Sequence, residues 1–369
     1  MLIIEYLLLE KPHKVMIVII IQHIYPTQFI IKHFMFKEHS LNMGLCLSFF
    51  MSIIVTGGAG FIGSHAVDAL VRMGYSIKVI DNFSSGRAEN LSRHLGNSRV
   101  TISRLDLKDG DLSRELRGAT AVFHFAANPE VRVSTTNPDI HFRENVVATF
   151  NLLEAMRIND VGELIFASSS SVYGEPPEIP VPESAPIRPV SVYGASKASG
   201  ENLIHAYSRL YGIRAVAMRY ANVAGPRLRH GVVPDLMLKL AKNPKQLEIL
   251  GDGTQVRSYI YVEDAVEATI LAWQRSNSSF EAFNVGSEDW VTVNDIARLI
   301  IKELGLTGVE LTYKPVMHGV GWPGDVKKIA LSIDKLKSIG FKPHHNSVES
   351  LELTIRALRS ELGVNPQAS

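Results

Sequence analysis

Gly57, Gly60 and Gly63 recur at every third position in Thr56-Gly-Gly-Ala-Gly-Phe-Ile-Gly63, and further on Tyr193-Gly-Ala-Ser-Lys197 sets a phenol four positions from an ammonium. Between a strand and a helix, Gly57 permits a tight turn, Gly60 lets backbone N–H groups approach a pyrophosphate, and Gly63 lets the helix pack close to the strand. The next apolar run ends in Asp81, 24 residues after Gly57. A carboxylate there suits a ribose 2′-hydroxyl and repels a 2′-phosphate, which favours NAD over NADP, although Arg87 partly offsets the repulsion. On a helix, residues four apart share a face, so Tyr193 and Lys197 act as a pair. A free tyrosine ionises near 10, so a base working at neutrality needs a downward shift of ~3 units, or ~4 kcal/mol. Lys197 and an oxidised nicotinamide are the available positive charges. Ser169, after the apolar run Glu163–Ala167, would lie at the same carboxyl edge and hydrogen-bond the reacting oxygen. Either pattern alone also occurs as a bare glycine-rich turn or a solvated helix face; the two together, in this order, point to hydride chemistry at a carbinol carbon.

Positioning these residues requires strands that end at one edge. From Met51 onward, short β-rich runs alternate with helical periodicity, the signature of an α/β fold: a Rossmann-type doubly wound parallel sheet covered by helices. Strands are expected at Ser52–Thr56, Ser76–Ile80, Val100–Leu105, Ala121–Phe125, Glu163–Ala167 and Ile213–Arg219, as near-continuous apolar runs buried on both faces. Helices are expected at Gly63–Met73, Asn145–Arg157 and Ser196–Tyr211, with the proline-rich Glu175–Pro189 a loop. After Arg219 the texture becomes Gly/Pro-punctuated. The expected division is therefore a NAD-binding domain over 51–222 and a smaller, mainly substrate-binding lobe over 223–369, with a strand and helix near 258–286 returning to the first.

Composition bounds the partners. The 369 residues are 46% hydrophobic and 20% charged, ordinary for a folded soluble protein, and the net charge of +1 offers no electrostatic case for nucleic acid or an anionic membrane. Cys46 is the only cysteine, which excludes an intramolecular disulfide and any multi-cysteine metal site, and no metal is expected. Residues 1–50 read differently, crowded with Ile, Leu, Phe, Lys and His. Their longest apolar run, Val15–Ile21, is far short of the roughly 20 residues a spanning helix needs, and Glu5, Glu10 and Lys11 interrupt any signal-peptide pattern. The segment is read as upstream sequence outside the native fold, with Met51 the start; a peripheral anchor is the alternative. A cytoplasmic location is expected.

The glycine turn, Asp81, Ser168-Ser-Ser-Ser-Val-Tyr-Gly174 and Tyr193-x-x-x-Lys197 together resemble the extended short-chain dehydrogenase/reductases, most closely the UDP-galactose 4-epimerases, from Met51 to about Leu336. The resemblance implies Ser169, Tyr193 and Lys197 as the catalytic set. For NAD it implies the turn residues Gly57, Gly60, Phe61, Ile62 and Gly63, then Asp81 and Asn82, Asp106 and Leu107 at the adenine, Phe125, Ala126 and Ala127 along the pyrophosphate and ribose, and Asn145 and Tyr220 with Tyr193 and Lys197 near the nicotinamide. For a UDP-hexose it implies Ser169, Asn222, Arg257, Tyr259 and Asp325, and for assembly a homodimer. The implied reaction is epimerisation at C4 through a transient 4-keto sugar.

This chain departs from the pattern in places. Trp322 stands where many epimerases carry an arginine for the diphosphate, with Arg227 and Arg229 as candidate replacements, and Pro129 replaces a lysine that in some relatives touches NAD, with Arg132 nearby. Related dehydratases and decarboxylases usually follow the catalytic hydroxyl with an acidic residue; here Ser170 and Ser171 follow, which favours the epimerase over them, while another nucleotide-sugar enzyme of the same type, a uronate epimerase among them, stays an alternative. A simple dehydrogenase and a non-catalytic NAD-sensing scaffold are the remaining alternatives.

Overall fold

The computed structural model describes residues 3–11, 14–22, 29–37 and 52–364. The chain divides into two units, 1–50 and 51–369. In the first, β1 (Ile3–Lys11), β2 (Lys14–Gln22) and β3 (Phe29–Lys37) pair antiparallel in that order. The expectation that residues 1–50 stand outside the native fold falls on a segment of which only those three strand backbones are described.

The second unit is built on seven parallel strands. They are β4 (Ser52–Thr56), β5 (Ser76–Asp81), β6 (Val100–Arg104), β7 (Ala121–His124), β8 (Glu163–Ser169), β9 (Arg214–Tyr220) and β14 (Phe280–Val285). Their order is β14-β9-β8-β7-β4-β5-β6. Alternation assigns each strand residue to one of two cores. Ile53, Val55, Phe123, Ile165, Val216 and Met218 face α1 (Phe61–Arg72) and α5 (Val262–Arg275). Their neighbours Ile54, Val122, Leu164, Phe166, Ala215 and Ala217 face α2 (Ala148–Ile158) and α3 (Val192–Tyr211). With helices on both faces, the central strands are largely apolar, which is why these runs were legible in the sequence. The edge strand β6 departs from the expected run buried on both faces, its Thr101, Ile102 and Arg104 being exposed because no strand pairs with its outer side.

The strand order reverses between β4 and β7, so the loops leaving those two strands diverge and leave a crevice at the carboxyl edge. Over that edge sits a third core formed by α4 (Val232–Lys242), α6 (Val293–Glu303), α7 (Ser347–Glu361) and β11 (Gln246–Leu250). Side-chain caps fix where two of these helices begin: Thr292 with Asp295 and Asn346 with Glu349 form reciprocal capping boxes. Smaller pairings tie the segments together, β10 (Asn222–Ala224) with β13 (Tyr259–Tyr261), and β12 (Val256–Arg257) between β15 (Val291–Thr292) and β16 (Lys328–Ile329). Among the described residues no helix is long and apolar enough to cross a membrane.

Candidate active site

The turn after β4 is closed from both sides: Gly57 N–H donates to the Ile80 carbonyl at 2.8 Å, and Phe125 N–H donates to the Thr56 carbonyl at 3.0 Å. Gly57 has φ +68°, and a Cβ on it would lie 2.6 Å from Ala126 N, so only glycine fits between β4 and β7. At Gly63 a Cβ would come within 2.2 Å of the Gly57 carbonyl, which lets α1 start hard against the turn. A Cβ at Gly60 would meet only the Gly57 carbonyl, at 3.1 Å, leaving open space above it. α1 has no side-chain cap. Its first N–H groups are therefore available to an anion.

A cavity of about 540 Å³ runs from this turn to the third core. Gly57, Gly60, Phe61, Ile62, Gly63, Asp81, Asn82, Asp106, Leu107, Phe125, Ala126 and Ala127 line its cofactor half. Ser169, Tyr193, Lys197 and Tyr220 lie at its middle, and Asn222, Arg257, Tyr259 and Asp325 at the far end. Of the residues singled out from the sequence, Asn145 alone stays off the wall. It is buried, accepts from Asn128 N–H at 2.8 Å and donates to Ser196 Oγ at 2.9 Å, so it braces the site from behind.

Asp81 ends β5 with its two carboxylate oxygens accepting from Ala59 N–H (2.9 Å) and Phe83 N–H (2.8 Å). Burial pushes its pKa up and those two bonds oppose the rise. Its charge thus fastens the glycine turn while lining the cavity. Asn82 donates to Asp106 at 2.9 Å, and Lys108 N–H donates to the same carboxylate, joining the loops after β5 and β6.

Tyr193 and Lys197 share the inner face of α3, whose first turn is capped by Ser191 Oγ accepting from Gly194 N–H. Ser134 Oγ accepts from Tyr193 N–H at 3.1 Å, and Ser196 Oγ donates to the Tyr193 carbonyl at 2.7 Å. Burial pushes the Tyr193 phenol up to about 12, with a hydrogen bond from Ser169 acting the other way. This reverses the downward shift expected from the sequence. Lys197 Nζ donates to the Ala167 carbonyl at 2.7 Å and lies 6.0 Å from the Tyr193 ring centre, and desolvation of the phenol dominates. Burial lowers Lys197 to about 8, opposed by Glu201.

Glu201 was missed in the sequence reading, although it sits one helical turn after Lys197. It accepts from Ser168 Oγ and from Arg219, whose Nη1 donates to the Tyr173 hydroxyl; that hydroxyl donates to Asn284 at 2.7 Å. This buried network ties β8, α3, β9 and β14 together beneath Ser169 and Lys197. Its signal was Glu201 at i+4 from Lys197 and an arginine inside an apolar strand.

The far end differs from expectation. Arg227 donates to Ser64 Oγ and Asp68, and its backbone N–H to Glu361, while Arg229 bridges to Glu361 at 2.9 Å. Both line the cavity, but neither is the free replacement cation proposed for the arginine absent at Trp322. Arg132 pairs with Glu130 at 3.1 Å. Arg257 donates to Asp325 Oδ1 at 2.7 Å and to the carbonyls of Val256 and Val326. Asp325 also accepts from Gly321 N–H at 3.0 Å, so this pair staples the loop carrying Trp322 onto β12. The Tyr220 hydroxyl is spent on Thr269 at 2.6 Å. Tyr220 therefore offers the cavity only its ring and backbone. Ile249, Leu250 and Gln255 also line the cavity, unanticipated because no motif in the sequence marks them. Away from the cavity, Asp264, Glu267 and His344 approach one another, with Asp264 occupied by the N–H groups of His344 and His345.

The sequence model described as the NAD dependent epimerase/dehydratase family matches residues 53–286. A UDP-glucose 4-epimerase from Corynebacterium glutamicum is 31% identical over 335 residues, covering 86% of this chain and 99% of that protein. A solved UDP-galactose 4-epimerase is similar with a TM-score of 0.76 at 48% identity, covering 85% of this chain and 100% of its own. The Thermotoga maritima UDP-glucose 4-epimerase, solved with UDP-glucose, gives 0.75 at 36% identity with coverages of 85% and 100%.

Proposed function

Because the chain belongs to the NAD-dependent epimerase/dehydratase family, we propose that it interconverts UDP-glucose and UDP-galactose by reversible oxidation at C4. The observation that carries this reading is the meeting of Ser169, Tyr193 and Lys197 in one cavity with the Gly57–Gly63 turn at one end and Arg257, Asp325 and Trp322 at the other. The open space above Gly60 and the uncapped start of α1 fit the pyrophosphate of NAD, with Asp81 toward the ribose. NAD when bound supplies the reversible hydride acceptor and, oxidised, a positive charge in the same cavity.

Tyr193 takes the proton from the sugar 4-hydroxyl and later returns it. Ser169, hydrogen-bonded to that phenol, steadies the reacting oxygen, and Lys197 supplies the nearest fixed positive charge. Turning the 4-keto sugar over before the hydride returns inverts C4. Arg257, Asn222, Tyr259 and the Trp322 loop hold the nucleotide diphosphate, with Trp322 contributing a flat apolar face in place of a cation. The division into a NAD-binding part over 51–222 and a mainly substrate-binding part over 223–369, with residues 1–50 outside the native fold, belongs to the same reading. So do a cytoplasmic location, a role in galactose metabolism, and a homodimer without nucleic-acid or membrane partners.

Incubating the protein with UDP-glucose, UDP-galactose and their N-acetyl and uronic acid forms, and reading product stereochemistry, tests the assignment. The expected result is interconversion of the two hexoses without net NADH. Accumulating NADH would mark a simple dehydrogenase, and conversion of another nucleotide sugar alone would overturn the hexose assignment.

A further inference from the structure

One buried titratable group beside Tyr193 has no part in the scheme above. His141 is fully buried, at the end of a short helical turn (Asp139–His141) that runs into the π-helical turn Phe142–Val147. Among the described residues neither of its ring nitrogens has a hydrogen-bond partner. Its ring meets the Tyr193 ring edge to face, with centres 5.6 Å apart and planes at 70°. It does not line the cavity, so it backs the phenol from the protein side.

A hydrocarbon side chain would fill this place without leaving two polar atoms unmet, so packing alone does not account for an imidazole here. The charged groups that face it are Glu144 on its own element, Glu130 on the preceding loop and Lys197 on α3; burial, the largest influence, keeps its ring neutral. A neutral imidazole still has a polar edge. Rings in edge-to-face contact attract through the positive edge of one and the negative face of the other, and a phenolate ring is richer in electrons than a phenol. An interaction that strengthens on ionisation favours the ionised form. The same stretch of chain also fixes the backbone at this point, since Asn145 holds Ser196 and Ser196 holds the Tyr193 carbonyl.

Resting on the reading of Tyr193 as the base, we propose that neutral His141 is a positioning residue for proton transfer, its polar ring bracing the phenol and favouring the ionised Tyr193 over the neutral one. The test is His141→Phe, which keeps an aromatic ring and removes both nitrogens, with kcat, KM for UDP-galactose and retained NAD followed from acid to alkaline pH. The acidic limb of kcat is expected to move up by about one pH unit, lowering kcat about tenfold near neutrality. KM and retained NAD should stay within about twofold, since no contact with either is removed. His141→Gln, which restores a polar N–H, is expected to recover part of the limb. Loss of kcat by one factor at all pH values, or an unmoved limb, overturns the inference. If His141→Phe does not fold, His141→Met against His141→Gln makes the same comparison, and equal limbs in those two overturn it. Tyr193→Phe separates this from the reading beneath it: turnover surviving in that variant overturns Tyr193 as the base, whereas a dead Tyr193→Phe beside an unmoved His141→Phe limb overturns the role of His141 alone.

Discussion

At the scale of single residues, the site sets two opposing titrations against each other. Burial holds the Tyr193 phenol up at about 12 and brings the Lys197 ammonium down to about 8. Below about 8 Lys197 is charged and favours the phenolate; as pH rises past that value the charge is lost. Activity should therefore rise with the ionisation of Tyr193 and be opposed on the alkaline side, the two limbs belonging to the coupled pair. Lys197→Met removes the charge at every pH, so the acidic limb of kcat should move upward and kcat near neutrality should fall roughly 10- to 100-fold; a pH profile of unchanged shape would deny Lys197 this role. Asp81 is open to a similar test because its carboxylate does two things. Asp81→Asn removes the charge and keeps one of the two acceptors that hold Ala59 and Phe83 N–H, so NAD should bind somewhat more weakly and discrimination against NADP should fall by about tenfold or more. Competitive binding of the two cofactors measures this, and a variant as selective as the wild type would place selectivity elsewhere. Gly57, Asp81, Tyr193 and Lys197 could be singled out in the sequence because local backbone needs and helical spacing constrain them. Glu201 carried only its i+4 spacing from Lys197 as a signal, and His141 none, because what defines both is burial against residues distant in the chain.

Elements show where local rules yield to tertiary contacts. The strands were legible because apolar runs between two helical layers carry their own boundaries. The helix expected at Asn145–Arg157 instead begins with the π-helical turn Phe142–Val147 and becomes α-helical at Ala148. The widened turn seats Asn145 between Asn128 and Ser196, a demand that no period in the sequence records. At the far end, Trp322, Gly324 and Asp325 were legible as a departure from a pattern, but not the way Asp325 gathers its loop by accepting from Gly321, Val326 and Arg257 together. Asp325→Ala should release that loop and leave Arg257 without its carboxylate. The expected consequence is a rise in KM for UDP-galactose of roughly 10- to 100-fold, the equivalent of a lost charge-assisted bond, with kcat changing little. Steady-state kinetics at saturating and limiting sugar separate the two terms. An unchanged KM would show that the loop is held by its other bonds, Val316 N–H to the Val320 carbonyl and Asp252 N–H to the Gly319 carbonyl.

For the whole molecule, the sequence carried the sheet further than it carried the outer surface. The seventh strand, Phe280–Val285, pairs with β9 only after 59 intervening residues have built part of the third core, so its place follows from chain topology rather than local pattern. What solvent meets on α2 and α3 is likewise a property of the folded form. Phe150 on α2 touches Tyr207 on α3, which touches Tyr211, so the two helices share one aromatic face. On these helices and the turn leading into α2, Phe142 is 56% exposed, Ile158 58%, Leu210 71% and Tyr211 50%. Isolated apolar residues on a surface need no partner, but several exposed on two adjacent helices whose rings touch are what an isologous contact between two copies would cover. The same two helices bear Tyr193 and the turn holding Asn145, so a dimer formed here would stiffen the frame of the base without entering the cavity. If this face joins two copies, changing Phe150 and Leu210 together to glutamate sets like charges against each other across the two-fold axis. Light scattering on size-separated protein should then report a dimer for the wild type and a monomer for the double variant, with unchanged circular dichroism showing that the fold survives. A wild type that is monomeric at micromolar concentration, or a double variant that stays dimeric, would remove this face as the site of assembly.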